Sequence, residues 1–258
     1  MVKIAVLVDG SFYLKRYQYL FGSCLDYRND DAVQAATVFR YISNGHIHHK
    51  KDEFLYRILF YDCPPFGKRV HNPITQRPID FEKSSVALFR KAFFGELKKQ
   101  RKVALRLGHI KDHSGWVIKP NVTKELLAGR KTLKDLVEGD VYYDVTQKGV
   151  DMRIGLDIAS LAYKRLVDRI VLISGDSDFV SAAKVARREG IDFVLDPMWN
   201  HIDDALFEHI DGLNSVCPDK TRMPATIEEY LKHTPILKQL GSKETNQSVA
   251  ETPEDSNA

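Results

Sequence analysis

Two continuous apolar runs in this chain break off at acids, and no other feature limits the fold as much. KIAVLV at 3–8 stops at Asp9 and Gly10, and VLI at 171–173 stops at Ser174, Gly175, Asp176, Ser177 and Asp178. Unbroken β-branched and aliphatic runs, without polar alternation, are the pattern of strands buried on both faces, which occur in parallel sheets covered by helices. In open sheets of that kind ligands bind beyond the carboxyl ends of the strands, where these acids stand. Asp176 and Asp178 have no Lys or Arg between them, so their mutual repulsion needs a compensating cation or a capping role. One reading is that Ser177 or Asp178 only N-caps a helix starting near Phe179. The other is that the acids form a site.

The rest of the chain extends the same strand–helix alternation. FLYRILFY at 54–61, residues 103–107 and IDFVL at 191–195 predict three further strands. Helices are expected over 12–20, 30–42, 81–100, from Asp151 through Ala162, from about Phe179 to Glu189, and over 201–209. Residues 111–139 break the alternation and read as an insertion or extended lobe, within a wider departure near 64–140. Its aromatics Trp116, Tyr142 and Tyr143 suit either base stacking or a local core. Residues 1–215 are expected to be the main domain, 216–240 a helical extension, and the polar, acidic 241–258 a disordered tail.

Composition narrows the functional classes. The 258 residues are 43% apolar and 28% charged, as in an ordinary globular domain with a sizeable core. No apolar stretch has the length of a membrane span, so a cytoplasmic protein without membrane contact is expected. Cys24, Cys63 and Cys217 lack any C-x-x-C spacing, which argues against a disulfide framework or zinc site. His46, His48 and His49 lie in a Lys-rich loop without an acidic or cysteine partner at ligand spacing, and are not read as ligands. The net charge of +3 says little, but basic residues crowd 83–106, including Lys91, Lys98, Lys99, Arg101 and Lys102. Such a run is either a solvated helix face or a track for a phosphate backbone.

Asp151 falls in the first turn of its helix, where the helix dipole favours a carboxylate. Asp157, six residues on, is rotated by about 120° on an ideal helix and so points elsewhere. If the sheet is parallel and doubly wound, Asp9, Asp151, Asp176 and Asp178 converge. Carboxylate oxygens with retained waters are the ligands magnesium and manganese prefer, and such an ion activates water and neutralises a phosphodiester.

LVDGS at 7–11, KGVDMRIGLDI at 148–158 and VLISGDSDFV at 171–180 together resemble the three signatures of the NYN domain, the LabA-like or DUF88 group of the PIN-like nuclease superfamily. The resemblance implies a Rossmann-like three-layer α/β/α fold with a mainly parallel sheet, and a Mg2+- or Mn2+-dependent endoribonuclease site. It places Asp9, Asp151, Asp176 and Asp178 as catalytic and metal-binding acids, with Asp157 a second-tier family acid. RNA is the implied partner; apart from the resemblance, a homo-oligomer is left open. Phe12 departs from the family, which often has Asn there. That departure keeps a second expectation open, an RNA-binding or regulatory scaffold with weak activity. A haloacid-dehalogenase-type phosphohydrolase is disfavoured, because that chemistry needs a second Asp two residues after the first and this chain has Ser11.

Overall fold

The computed structural model describes residues 1–21, 29–48, 51–222 and 227–232. In chain order the elements are β1 (Val2–Asp9), α1 (Gly10–Phe21), α2 (Asn29–Gly45), β2 (Glu53–Asp62), a hairpin of β3 (Arg69–His71) and β4 (Pro78–Asp80), α3 (Ser85–Lys99) and β5 (Val103–Leu107). There follow β6 (His109–Ile118), α4 (Pro120–Leu127), β7 (Val141–Lys148), α5 (Val150–Tyr163), β8 (Arg169–Ile173), α6 (Val180–Arg188), β9 (Asp192–Asp196), α7 (Asp204–Phe207), β10 (Gly212–Leu213) and α8 (Ile227–Lys232).

Six strands form one sheet in the order β10-β9-β8-β1-β2-β5, and every neighbouring pair is parallel. Along β1 the pleat sends Ile4, Val6 and Val8 to a core shared with α1, α2 and α3, and Ala5 and Leu7 to a second core under α5 and α6. Both faces are therefore covered, which is why the run carries no polar alternation. This is the expected three-layer α/β architecture.

The chain builds outward from β1 to β2 and β5, then returns to the other side of β1 to lay down β8, β9 and β10. The strand order reverses between β1 and β8, and a crevice opens there at the carboxyl edge. Val8 pairs with Ile173, so Asp9 and Ser174 leave the sheet side by side. Gly10 starts α1 at once: a Cβ there would lie 2.6 Å from the Phe60 ring and 2.7 Å from the Tyr61 carbonyl oxygen.

Several details depart from the sequence expectations. Within 64–140, α3 and β5 belong to the main layers, and the remainder holds the β3–β4 hairpin, α4 and β6, which pairs antiparallel with β7 just beyond it. Trp116 and Tyr143 are packed there, Tyr143 stacking on Phe66 and meeting Trp116 edge-on, while Tyr142 is exposed. The helix expected over 81–100 starts only at Ser85, where the Ser84 hydroxyl accepts the Ala87 N–H. The one expected over 201–209 shrinks to Asp204–Phe207, capped by Asp203. His46 does have an acidic partner: its Nε2 lies 2.9 Å from Asp196 Oδ2, both side chains buried. Sequence spacing missed this pair because 150 residues separate its members. Cys63 and Cys217 are buried free thiols, whereas Cys24 and the tail from residue 233 onward lie outside the described residues. Among the described residues no helix is long and apolar enough to cross a membrane.

Candidate active site at the switch point

Asp9 ends β1 half-buried, its Oδ1 accepting the N–H of Phe12 at 3.1 Å. Its carboxyl is pushed up from 3.8 to about 6, chiefly by burial and then by the charges of Asp151 and Asp62. Asp151, in the first turn of α5, is raised by partial desolvation and then by Asp176 and Asp178. Asp151 thus lies within electrostatic reach of Asp9, Asp176 and Asp178. Among the described residues none of these four acids forms an ion pair with Lys or Arg.

The local turn that presents them is held by Asp176. Its Oδ1 accepts the Asp178 N–H at 3.0 Å and caps the single 3-10 turn Ser177–Phe179, so the cap is Asp176 and not Ser177 or Asp178. Ser174 Oγ in turn accepts the Asp176 N–H at 3.3 Å. Asp176 caps and still faces the cleft.

Asp9 and Asp176 line one cavity of about 580 Å3, together with Phe12, Lys15, Asn200 and Asp203. Asp151 and Asp178 line a neighbouring one of about 540 Å3. No set of three His, Cys, Asp or Glu side chains among the described residues is gathered in metal-ligand geometry. In donor chemistry the four carboxylates nevertheless suit a hard cation completed by water. Phe12 forms an apolar wall: its Cε2 lies 2.8 Å from where a Cβ on Gly175 would stand, so Gly175 lets the ring close over the turn.

Asp157 is placed differently. Its Oδ2 accepts the Tyr61 hydroxyl at 2.8 Å and pairs with Arg106 at 3.2 Å, tying α5 to β2 and β5. The basic residues are also not brought together with the acids. Lys98, Lys99, Arg101 and Lys102 precede Val103 at the amino end of β5, so the strand's length, roughly 17 Å, separates them from the acidic edge. Lys102 donates to the Leu55 carbonyl and covers the Phe54 ring at 3.7 Å, Lys99 pairs with Glu96, and Lys91 pairs with Glu82. Lys15 lines the cavity of Asp9 and Asp176, and Arg90 lines the adjoining one.

Sequence reasoning passed over Asp62, Asn200 and Asp203 as site residues. Asp62 carried the same signal as Asp9, an acid closing an apolar run. Asn200 has no pattern of its own and comes to the site through the loop after β9.

A covered parallel sheet with uncompensated acids at its switch point defines an α/β protein with a candidate ligand site on the carboxyl edge. A family model for the NYN domain matches residues 117–206, from within β6 to within α7. The match contains Asp151, Asp176 and Asp178 and leaves Asp9 outside. It supports the NYN resemblance, and NYN domains belong to the PIN-like nuclease superfamily. No curated protein matches the chain. Among solved structures it is similar to a protein of unknown function from Vibrio parahaemolyticus, at 16% identity over 84% of this chain and 94% of that one, with a TM-score of 0.41.

Proposed function

We propose that this chain is a Mg2+- or Mn2+-dependent endoribonuclease that hydrolyses RNA phosphodiester bonds at Asp9, Asp151, Asp176 and Asp178. The observation that carries this reading is the field of four carboxylates, without a paired Lys or Arg among the described residues, at the sheet's switch point. Acids crowded in this way destabilise the fold unless a positive charge joins them. The NYN match over three of them supports nuclease chemistry over other uses of an acidic edge.

A divalent ion held by these oxygens supplies a more acidic bound water and offsets charge on the phosphodiester. The chain's own residues set the rest. The Phe12 N–H orients the Asp9 carboxylate. Asp9, with a carboxyl near 6, holds a proton in mildly acid solution and releases it near neutrality. Lys15 on the cavity rim offers a cation to the nucleic-acid backbone, and Phe12 excludes water from one wall.

A second reading rests on a specific observation: the acids are not gathered as a ligand set, and Phe12 stands where the family often has Asn. Under it the chain binds RNA without cutting. The two separate in one experiment, in which purified protein is incubated with mixed-sequence RNA under Mg2+, Mn2+ or chelator while binding is followed by filter retention. Internal cleavage only with divalent ion supports the nuclease. Binding that is indifferent to chelator, with no cleavage under either ion, replaces it with the scaffold.

A further inference from the structure

A second cavity, of about 370 Å3, adjoins the acidic one and shares Ser11 and Lys15 with it. Its chemistry is opposite. Lys15, Arg90, Gln18 and Gln147 line it with Ser11, no acid among the described residues does, and Leu14 and Phe89 add apolar lining. The Ser11 hydroxyl donates to Gln147 Oε1 at 3.0 Å, bridging the start of α1 to the end of β7 across this cavity.

Arg90 is the unusual member. Its side chain is only 19% exposed, and its Nη1 donates at 2.8 Å to Oδ1 of Asp62, which is fully buried. Asp62 is fixed in turn by accepting the Cys63 N–H at 2.7 Å on the same oxygen. A guanidinium carries five N–H donors, and this one bond uses one of them. The other four have no protein partner among the described residues. Asp62 therefore anchors the guanidinium through Nη1 alone, and Arg90 lines a cavity that already contains a lysine. Planar, preorganised donors beside a second cation are suited to a phosphate group.

We propose that the Arg90–Lys15 cavity binds a phosphate of the RNA strand adjacent to the one held at Asp9 and Asp176, with Asp62 as a positioning residue for Arg90. The proposal rests on the ribonuclease reading for its substrate, and it says where the strand leaves the acidic cavity: past Ser11 and toward α3. Opposite charges in adjoining cavities give the strand a direction. The acidic cavity takes a phosphate only together with a cation, and the basic one takes a phosphate directly.

The test is RNA affinity in chelator, where no cutting occurs, measured by filter retention over a range of salt. The variants are Lys15→Gln and the paired Asp62→Asn/Arg90→Gln, which removes both charges and leaves no buried carboxylate unmatched. Each is expected to weaken binding several-fold near 0.1 M salt and to lower the salt slope by about 0.7, the value of one lost single-strand phosphate contact. A merely structural Arg90 leaves that slope unchanged. Oligonucleotides with and without a 5′-phosphate separate the two sources of the group: a slope change restricted to the phosphorylated strand assigns a terminal phosphate, and an equal change in both assigns a backbone phosphate. Unchanged affinity and slope in folded variants overturn the proposal. Because no cleavage is read, a protein that binds through this cavity but never cuts RNA refutes the nuclease reading and leaves the cavity assignment standing.

Discussion

Three strands of the main sheet end in a carboxylate at the same edge, and their surroundings fall into two kinds. Asp62 closes β2 and Asp196 closes β9, both fully buried; Arg90 meets the first at 2.8 Å and His46 the second at 2.9 Å, and each accepts a backbone N–H besides. Asp9 closes β1 between them and accepts the Phe12 N–H, but has no cationic partner among the described residues, and its neighbours across the crevice are the further acids Asp151, Asp176 and Asp178. Burying a carboxylate costs several kcal/mol unless a cation or donors offset it. Asp62 and Asp196 each have a partner within the frame, although burial still raises the Asp62 carboxyl and leaves its Oδ2 without a hydrogen bond among the described residues. The unpaired ones mark a place where the fold leaves charge to be matched from outside.

If that distinction is right, the largest effect comes from the unpaired set. Asp176→Asn should lower metal-dependent RNA cleavage by roughly a thousandfold, the scale of losing an electrostatic or proton-transfer contribution at a reacting centre. Its far-ultraviolet dichroism should stay unchanged, because Asn keeps an oxygen to cap the 178 N–H. Retained cleavage in this variant erases the comparison.

The paired set should respond in stability instead. Arg90→Ala strands the buried Asp62 carboxylate and should cost about 3 kcal/mol in urea denaturation, and His46→Ala should do the same to Asp196. A loss under about 1 kcal/mol for both would mean that the two kinds of acid do not differ.

Asp9 sharpens the contrast, since removing its charge should stabilise the protein. With a native pKa near 6 against an ordinary 3.8, the folded state holds this proton more tightly than the unfolded state does. The stabilisation from proton binding is complete below the unfolded value and is lost as pH rises through about 6, leaving a cost of about 2–3 kcal/mol at pH 8. Asp9→Asn removes that cost and should raise the metal-free melting temperature by roughly 5 °C at pH 8, with about half that gain at pH 5. A melting temperature that falls at pH 8 contradicts the uncompensated state of Asp9.

The smallest effect belongs to Asp157, which is held by Tyr61 and Arg106. Asp157→Asn should cost about 1 kcal/mol in stability and change cleavage by less than about tenfold. A loss as large as that of Asp176→Asn would move Asp157 into the active set.

Much of this was legible in the chain. The buried strands around residues 3–8 and 171–173, the helix opening at Asp151 and the parallel architecture follow from local apolar periods, which burial on both faces enforces. The short α7, the late start of α3 and the β6–β7 ribbon were not, because caps and pairings between distant segments decide where those elements stop. The place of the basic run at 98–102 was hidden for a related reason. Its charge is visible in sequence, but the strand direction that carries it to the opposite edge from Asp9 belongs to the sheet.

By itself the sequence determined that acids would close buried strands on one edge, since a continuous apolar run interrupted by Asp has few other solutions. Only the tertiary structure decided which of those acids keep their charge unmatched. Asp62 finds Arg90 from 28 residues away, and Asp196 finds His46 from 150. Neutralisation acts over a few ångströms of space and has no period along the chain, so the difference between a matched acid and an unmatched one emerges only when the sheet and its helices are assembled.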